Sequence, residues 1–231
     1  MVIPMKEKLL ITIALITVVC ICTCFQLNTA NNRAVFTNKL LSGKTVVIDA
    51  GHGGKDVGTS GVDGAFEKVI NLEIAKTLYD FLMVCGINAV LIRNGDYEIY
   101  KQGEERTRSD LYNRLDFINS VENCILISIH QNHFENESEW GTQIWYSPNN
   151  KESESIANSI LSSVKELIQP NNTRENKKSD NSYYILYKAS VPSVMVECGF
   201  MSNTKENALL QDKKYQADMA FSILSGICNL I

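Results

Sequence analysis

The sequence predicts an α/β fold, a single domain built on a twisted, mostly parallel sheet of about six strands with helices on both faces. Three observations carry this. Short β-branched runs such as "KTVVIDA" (Lys44–Ala50) and "CILISIH" (Cys124–His130) have the continuous apolar character of strands buried on both sides. Segments with apolar residues at helical spacing alternate with those runs. The 231 residues suffice for one sizeable core and leave no space for a second full domain.

The elements follow in chain order. Residues 1–30 are set apart: Lys6 and Lys8 precede an apolar or weakly polar run from Leu9 to Leu27. A charged stretch followed by an apolar one reads as an export signal. The run also approaches the ~20 residues that span a bilayer, so an uncleaved anchor through residues 9–27 is the alternative. Residues 31–43 read as a polar linker, and the folded domain runs from 44 to 231. Its first strand, Lys44–Ala50, leads into a Gly-rich loop (Gly51–Gly64) and then a helix with Val69, Ile70, Leu72, Ile74, Leu78, Phe81 and Leu82 at broadly helical spacing and Gly86 as its stop. "INAVLIR" is the second strand. "GEERTRSDLYNRLDFINS" is an amphipathic helix with Leu111, Leu115 and Ile118 on one stripe. After the third strand, Cys124–His130, "GTQIWYS" reads as a strand and "KESESIANSILSSVKELI" as a helix stopped by Pro170. "NNTRENKKSD" reads as an exposed loop, "SYYILY" and "PSVMVE" as two more strands, and the remainder as a terminal helical region.

Composition excludes some functions. A formal net charge of −4 opposes nucleic-acid binding, which wants a basic face. Cys85, Cys124, Cys198 and Cys228 are widely spaced without a C-x-x-C pair, so a thiolate zinc site is excluded and free thiols are expected. The glycine loop fails as a phosphate cradle: Gly54-Lys55 is followed by Asp56 rather than Ser or Thr, and Asp49 stands where the first glycine belongs.

Catalytic groups of open α/β sheets gather beyond the carboxyl ends of the strands. Here His52 lies just past the first strand, His130 ends the third, and Glu197 ends "PSVMVE". One such ending is unremarkable; three form a pattern. His133, three residues after His130 in a polar loop, reads as a surface residue. A hydrolytic zinc site needs about three protein ligands and an open position. Two imidazoles leave one ligand to find among Asp49, Asp56, Asp63 and Glu67. Glu67 opens a helix, where a carboxylate either caps the dipole or turns to a metal, and spacing does not decide between them.

Taken together, "VVIDAGHGG" with Glu67, "SIHQN" and "VECGF" resemble the zinc-dependent N-acetylmuramoyl-L-alanine amidases, which cut peptidoglycan. The resemblance runs from about Val46 to the C-terminus. Within that family, the short layout with an N-terminal export segment is similar to the germination-specific spore-cortex amidases of endospore formers. "LYNRLDFIN" also resembles a family segment, with Ile118 where alanine is usual. The resemblance implies that His52, Glu67 and His130 are the Zn2+ ligands, that Glu197 is the catalytic glutamate, and that residues 44–231 are the catalytic domain. It further implies hydrolysis of the amide between N-acetylmuramic acid and L-alanine, in spore cortex maturation by way of muramic lactam. The expected partners are peptidoglycan and an accessory sporulation protein. The expected location is extracytoplasmic, membrane-associated or secreted, in the space around the developing spore. A zinc peptidase acting on a small peptide and an inactive wall-binding protein are the competing readings.

Overall fold

A computed structural model describes residues 43–100 and 109–230. The expected export segment and nearly all of the expected linker lie outside the described residues, as does the start of the "GEERTRSD" segment. Among the described residues no helix is long and apolar enough to cross a membrane.

Six strands form one sheet: β1 (Thr45–Ala50), β2 (Ala89–Leu91), β3 (Cys124–Asn132), β4 (Gln143–Tyr146), β5 (Lys177–Lys178) and β6 (Ser193–Phe200). Their spatial order is β2-β1-β3-β6-β4-β5. The first four run parallel; β4 joins β6 antiparallel and carries β5 with it. The helices are α1 (Glu67–Val84), α2 (Asp110–Ser120), α3 (Glu152–Leu167), α4 (Tyr184–Lys188), α5 (Thr204–Gln211) and α6 (Lys213–Cys228).

Side chains alternate across the strands, and the two faces bury different things. Val46, Ile48, Ile125, Ile127, Ile129, Val194 and Val196 point to one face. There they pack on Ile70, Ile74, Leu78 and Leu82 of α1, Ile156 and Ile160 of α3, and Met219 and Ile223 of α6. The opposite face holds a smaller apolar cluster, Val47 and Leu126 against Ile118 of α2 and Ile185 of α4. Further along, toward the carboxyl ends of the parallel strands, that second face turns polar with Asp49, Ser128, His130 and Glu197. The main core therefore serves as a rigid backing for a polar rim.

α1 ends as its sequence dictates. Gly86 takes φ 73°, and the amides of Gly86 and Ile87 bond back to the carbonyls of Met83 and Leu82, a Schellman closure that needs a residue without Cβ. The terminal region is two helices rather than one: Asp212 breaks the run and its carboxylate caps α6 by accepting from the Tyr215 amide.

Three expectations are corrected. "SYYILY" is not a strand; its core is the one-turn helix α4, which buries the consecutive residues Ile185 and Leu186. A strand would send neighbours to opposite faces, and a turn held by Asp180, whose carboxylate accepts from both the amide and hydroxyl of Ser182, starts the coil instead. The "NNTRENKKSD" loop is not wholly exposed, since Lys177–Lys178 pairs with Trp145–Tyr146 and both Asn172 and Ser179 are buried. In α2 the inward residues are Asn113, Arg114 and Ile118, while Leu111 is exposed. The buried side of that helix is polar because it serves the loop after β1.

Candidate metal centre

β1 delivers the chain to Gly51, and the Gly51–Gly64 loop turns it back toward α1. His52 adopts φ 63°, a left-handed conformation that costs a non-glycine residue roughly 1–3 kcal/mol. Two glycines make room where backbone meets site. A Cβ on Gly51 would lie 2.2 Å from the His130 ring, and one on Gly58 would lie 2.5 Å from Glu67 Oε2 and 2.6 Å from His52 Cδ2. Gly58 also takes φ 68°.

His52, Glu67 and His130 converge, each offering a ligand atom within 4.8 Å of the others. His52 Nε2 lies 3.2 Å from Glu67 Oε2, and His130 Nδ1 lies 3.0 Å from Glu67 Oε1. The carboxylate of Glu67 is buried and accepts from the amides of Thr59 and Gln131 and from Asn71 Nδ2. None of these donors is a free amide of its own helix, so the side chain turns into the site instead of capping α1. Burial raises the Glu67 carboxyl, but hydrogen bonds and charge from His130 and His52 outweigh it and hold it far below the ordinary range. Asp56 Oδ2 accepts from His52 Nδ1 at 2.7 Å, which fixes the ring so that Nε2 faces Glu67.

Glu197 is the register partner of His130 across the β3–β6 pair. Beyond that row the register shifts, with Asn132 opposite Phe200, so β6 carries an extra residue in the Cys198–Gly199 stretch. Glu197 is buried, and its Oε2 has no hydrogen-bond partner. Burial first, and the charge of Glu67 second, push its carboxyl well above the usual value, with His52 partly opposing. On the β4 side, Gln143 is the register partner of Glu197, and Trp145 stacks on Tyr183 at 4.4 Å. Burial and the charge of Glu197 push the Tyr183 hydroxyl up to about 12. A cleft of about 580 Å³ opens beside Gln143, lined by Trp140, Arg174 and Lys177 among others.

The remaining candidates separate cleanly. Asp49 is buried on Arg114 and Ser128, and Asp63 bonds to Gln211. Neither belongs to the converging group. His133 is exposed in the loop after β3. Sequence reasoning missed Asp56 as the partner of His52, although it stands four residues away in the same glycine loop. It also gave no role to Arg93 and Arg114, both buried.

Two imidazoles and a carboxylate around one point form a donor set suited to a tetrahedral divalent ion with one position left open. The orphaned Glu197 oxygen on the same rim fits that chemistry, because a lone buried carboxylate next to Glu67 calls for a cation or a proton between them.

The chain is similar to proteins of known activity. The model of a family described as N-acetylmuramoyl-L-alanine amidase matches residues 46–229. The germination-specific N-acetylmuramoyl-L-alanine amidase of Bacillus subtilis is 33% identical over 191 residues, covering 81% of this chain and 79% of that protein. Among solved structures, the CwlD amidase from Clostridioides difficile in complex with the GerS lipoprotein is 36% identical, with a TM-score of 0.75 over 80% of this chain and 96% of that one. The catalytic domain of CwlV, an N-acetylmuramoyl-L-alanine amidase from Bacillus (Paenibacillus) polymyxa var. colistinus, is 29% identical, with a TM-score of 0.67 over 80% of this chain and 96% of that one.

Proposed function

Because this chain belongs to the N-acetylmuramoyl-L-alanine amidase family, we propose that His52, Glu67 and His130 hold its Zn2+ and that Glu197 moves the proton in its reaction. The enzyme hydrolyses the amide between N-acetylmuramic acid and L-alanine in peptidoglycan, and it acts outside the cytoplasm. What supports the residue roles is one observation: the three ligand atoms lie within 4.8 Å of each other, and Glu197 stands in register with His130.

When bound, zinc supplies Lewis acidity toward the scissile carbonyl and toward water. Everything else falls to the chain. Glu197 takes a proton from the attacking water as its oxygen bonds to the lactyl carbonyl carbon. The same carboxyl returns that proton to the alanine nitrogen as the C–N bond breaks, leaving a lactyl carboxylic acid and an amine; the acid's remaining proton then passes to the amine, so the products leave as carboxylate and ammonium. Asp56 holds His52 in one tautomer throughout.

The likeness to a germination-specific relative supports spore cortex as the physiological substrate, with muramic lactam formed downstream of the cut. A protein partner in the extracytoplasmic space is supported by the C. difficile relative, which was solved with a lipoprotein. Mass spectrometry of cortex and vegetative muropeptides digested by the purified enzyme tests the substrate. Release of stem peptides bearing a free L-alanine amine is expected, with cortex glycan the better substrate. Cleavage within the peptide instead would favour a peptidase.

A further inference from the structure

We propose that Arg114, seconded by Arg93, is a positioning residue for His52, holding the backbone of that metal ligand in its left-handed turn. The inference rests on His52 being a ligand, as proposed above.

At the exit of β1, Ala50, Gly51 and His52 present three consecutive carbonyls that no strand pairing satisfies in full. Two buried guanidinium groups take them up. Arg114 Nη1 donates to Ala50 O at 2.9 Å and Nη2 to His52 O at 2.6 Å. Arg93 Nε donates to Ala50 O at 2.7 Å and Nη2 to Gly51 O at 2.9 Å, with Asn71 Nδ2 adding a bond to the same Gly51 oxygen. Both arginines rank among the largest fully buried side chains.

Each guanidinium is itself held. Arg114 is paired with buried Asp49 through Nη1 and with Asp110 through Nε at 2.5 Å, and Asp49 is fixed in turn by the Ser128 hydroxyl at 2.9 Å. Arg93 is tied to Gly95 O and Lys68 O. Arg114 thus links α2, two strands and the loop, and a planar fork is needed to reach both Ala50 O and His52 O. Burying two like charges side by side in a mainly apolar fold is costly. The carbonyls they serve are those that aim His52 Nε2 at Glu67, 3.2 Å away. Lysine would keep the charge at this position and lose the fork.

The test measures zinc affinity of the full chain by competition with a chelating dye, beside apo-protein thermal stability and hydrolysis at saturating zinc. Wild-type protein and His52→Ala set the two limits. For folded Arg114→Lys the zinc Kd should rise about 10–100-fold, with activity recovering when zinc is raised in step. A folded Arg114→Lys whose Kd stays within about threefold of wild type, with only a lowered melting temperature, would overturn the inference and leave Arg114 a purely structural strut. If Arg114→Lys does not fold, Asp110→Asn carries the test. It loosens the fork from its partly exposed end, and it should raise the Kd more than about threefold; an unchanged Kd again overturns the inference. Wild-type protein that binds no zinc, or His52→Ala that binds it normally, would instead sink the ligand assignment.

Discussion

His130 and Glu197 stand opposite one another on neighbouring parallel strands, one residue belonging to the converging ligand group and the other carrying a buried oxygen without a partner. Strand neighbours sit ~4.8 Å apart, so the proposed ligand on β3 and the proposed proton carrier on β6 lie side by side with no loop between them. Division of labour across that pair makes the two residues separable by mutation.

Glu197→Gln keeps the shape and removes the proposed proton exchange. Turnover on purified muropeptides should fall by roughly 10²–10⁴-fold while zinc content by mass spectrometry stays at one per chain. Retained turnover would remove Glu197 from the chemistry.

His130→Ala takes away a proposed ligand and should leave Glu67 as a buried carboxylate short of a partner. Zinc should be lost on dialysis together with activity, and the metal-free fold should also weaken, by about 1–3 kcal/mol in denaturant titration. Normal zinc retention in this variant would break the three-ligand assignment.

Gly51→Ala tests the packing of the site by size alone. The added methyl would sit 2.2 Å from the His130 ring, and the Gly51 backbone is held in place by its amide bond to Ile129 O and by Arg93 and Asn71 on its carbonyl. The ring must move, so zinc affinity should drop by an order of magnitude or so with the secondary structure intact by circular dichroism.

The metal affinity should depend on pH in a definite direction. In the metal-free protein burial opposes the charged His52 ring, yet Glu67 and Asp56 outweigh it and raise its pKa from 6.5 to about 9. Below that value zinc competes with a proton, so affinity measured by chelator competition should strengthen from pH 6.5 to about 9, approaching tenfold per unit for one proton displaced. The same raised pKa means that the imidazolium–carboxylate contact stabilises the metal-free fold fully below 6.5 and is lost as pH climbs through about 9. Affinity that is flat across this window would contradict the coupling.

A core substitution should act differently. Ile223→Ala on α6 empties space in the main core and should cost about 2–5 kcal/mol of stability while leaving the zinc Kd of the folded protein alone. Equal losses of affinity at Ile223 and at Gly51 would mean that the site merely reports on global stability.

The sequence announced strands β1, β3 and β6 because runs buried on both faces have a strong apolar signal, and the polar residues closing them mark the rim. It announced α1, α3 and α6 for the matching reason of helical spacing. Direction was not legible in β4: a short alternating run reads the same whether it joins a sheet parallel or antiparallel. The one-turn α4 was misread because its aromatic and β-branched residues carry strand propensity, and tertiary burial of Ile185 and Leu186 overrode it. Arg114 hid in plain view. Amphipathic reading assigns arginine to the wet face of a helix, whereas this one is drawn inward by Asp49 and the carbonyls of a distant loop. The choice of Glu67 over Asp49, Asp56 and Asp63 came from family resemblance, and the geometry that brings only Glu67 beside both histidines depends on contacts 63 residues apart in the chain.

The most direct measurement strips the full chain of metal by exhaustive chelation and follows muropeptide hydrolysis as zinc is returned. Hydrolysis should vanish on stripping, return in proportion to added zinc and level off at one equivalent, the stoichiometry of a single ion among His52, Glu67 and His130. Undiminished hydrolysis by the stripped protein would contradict the central claim.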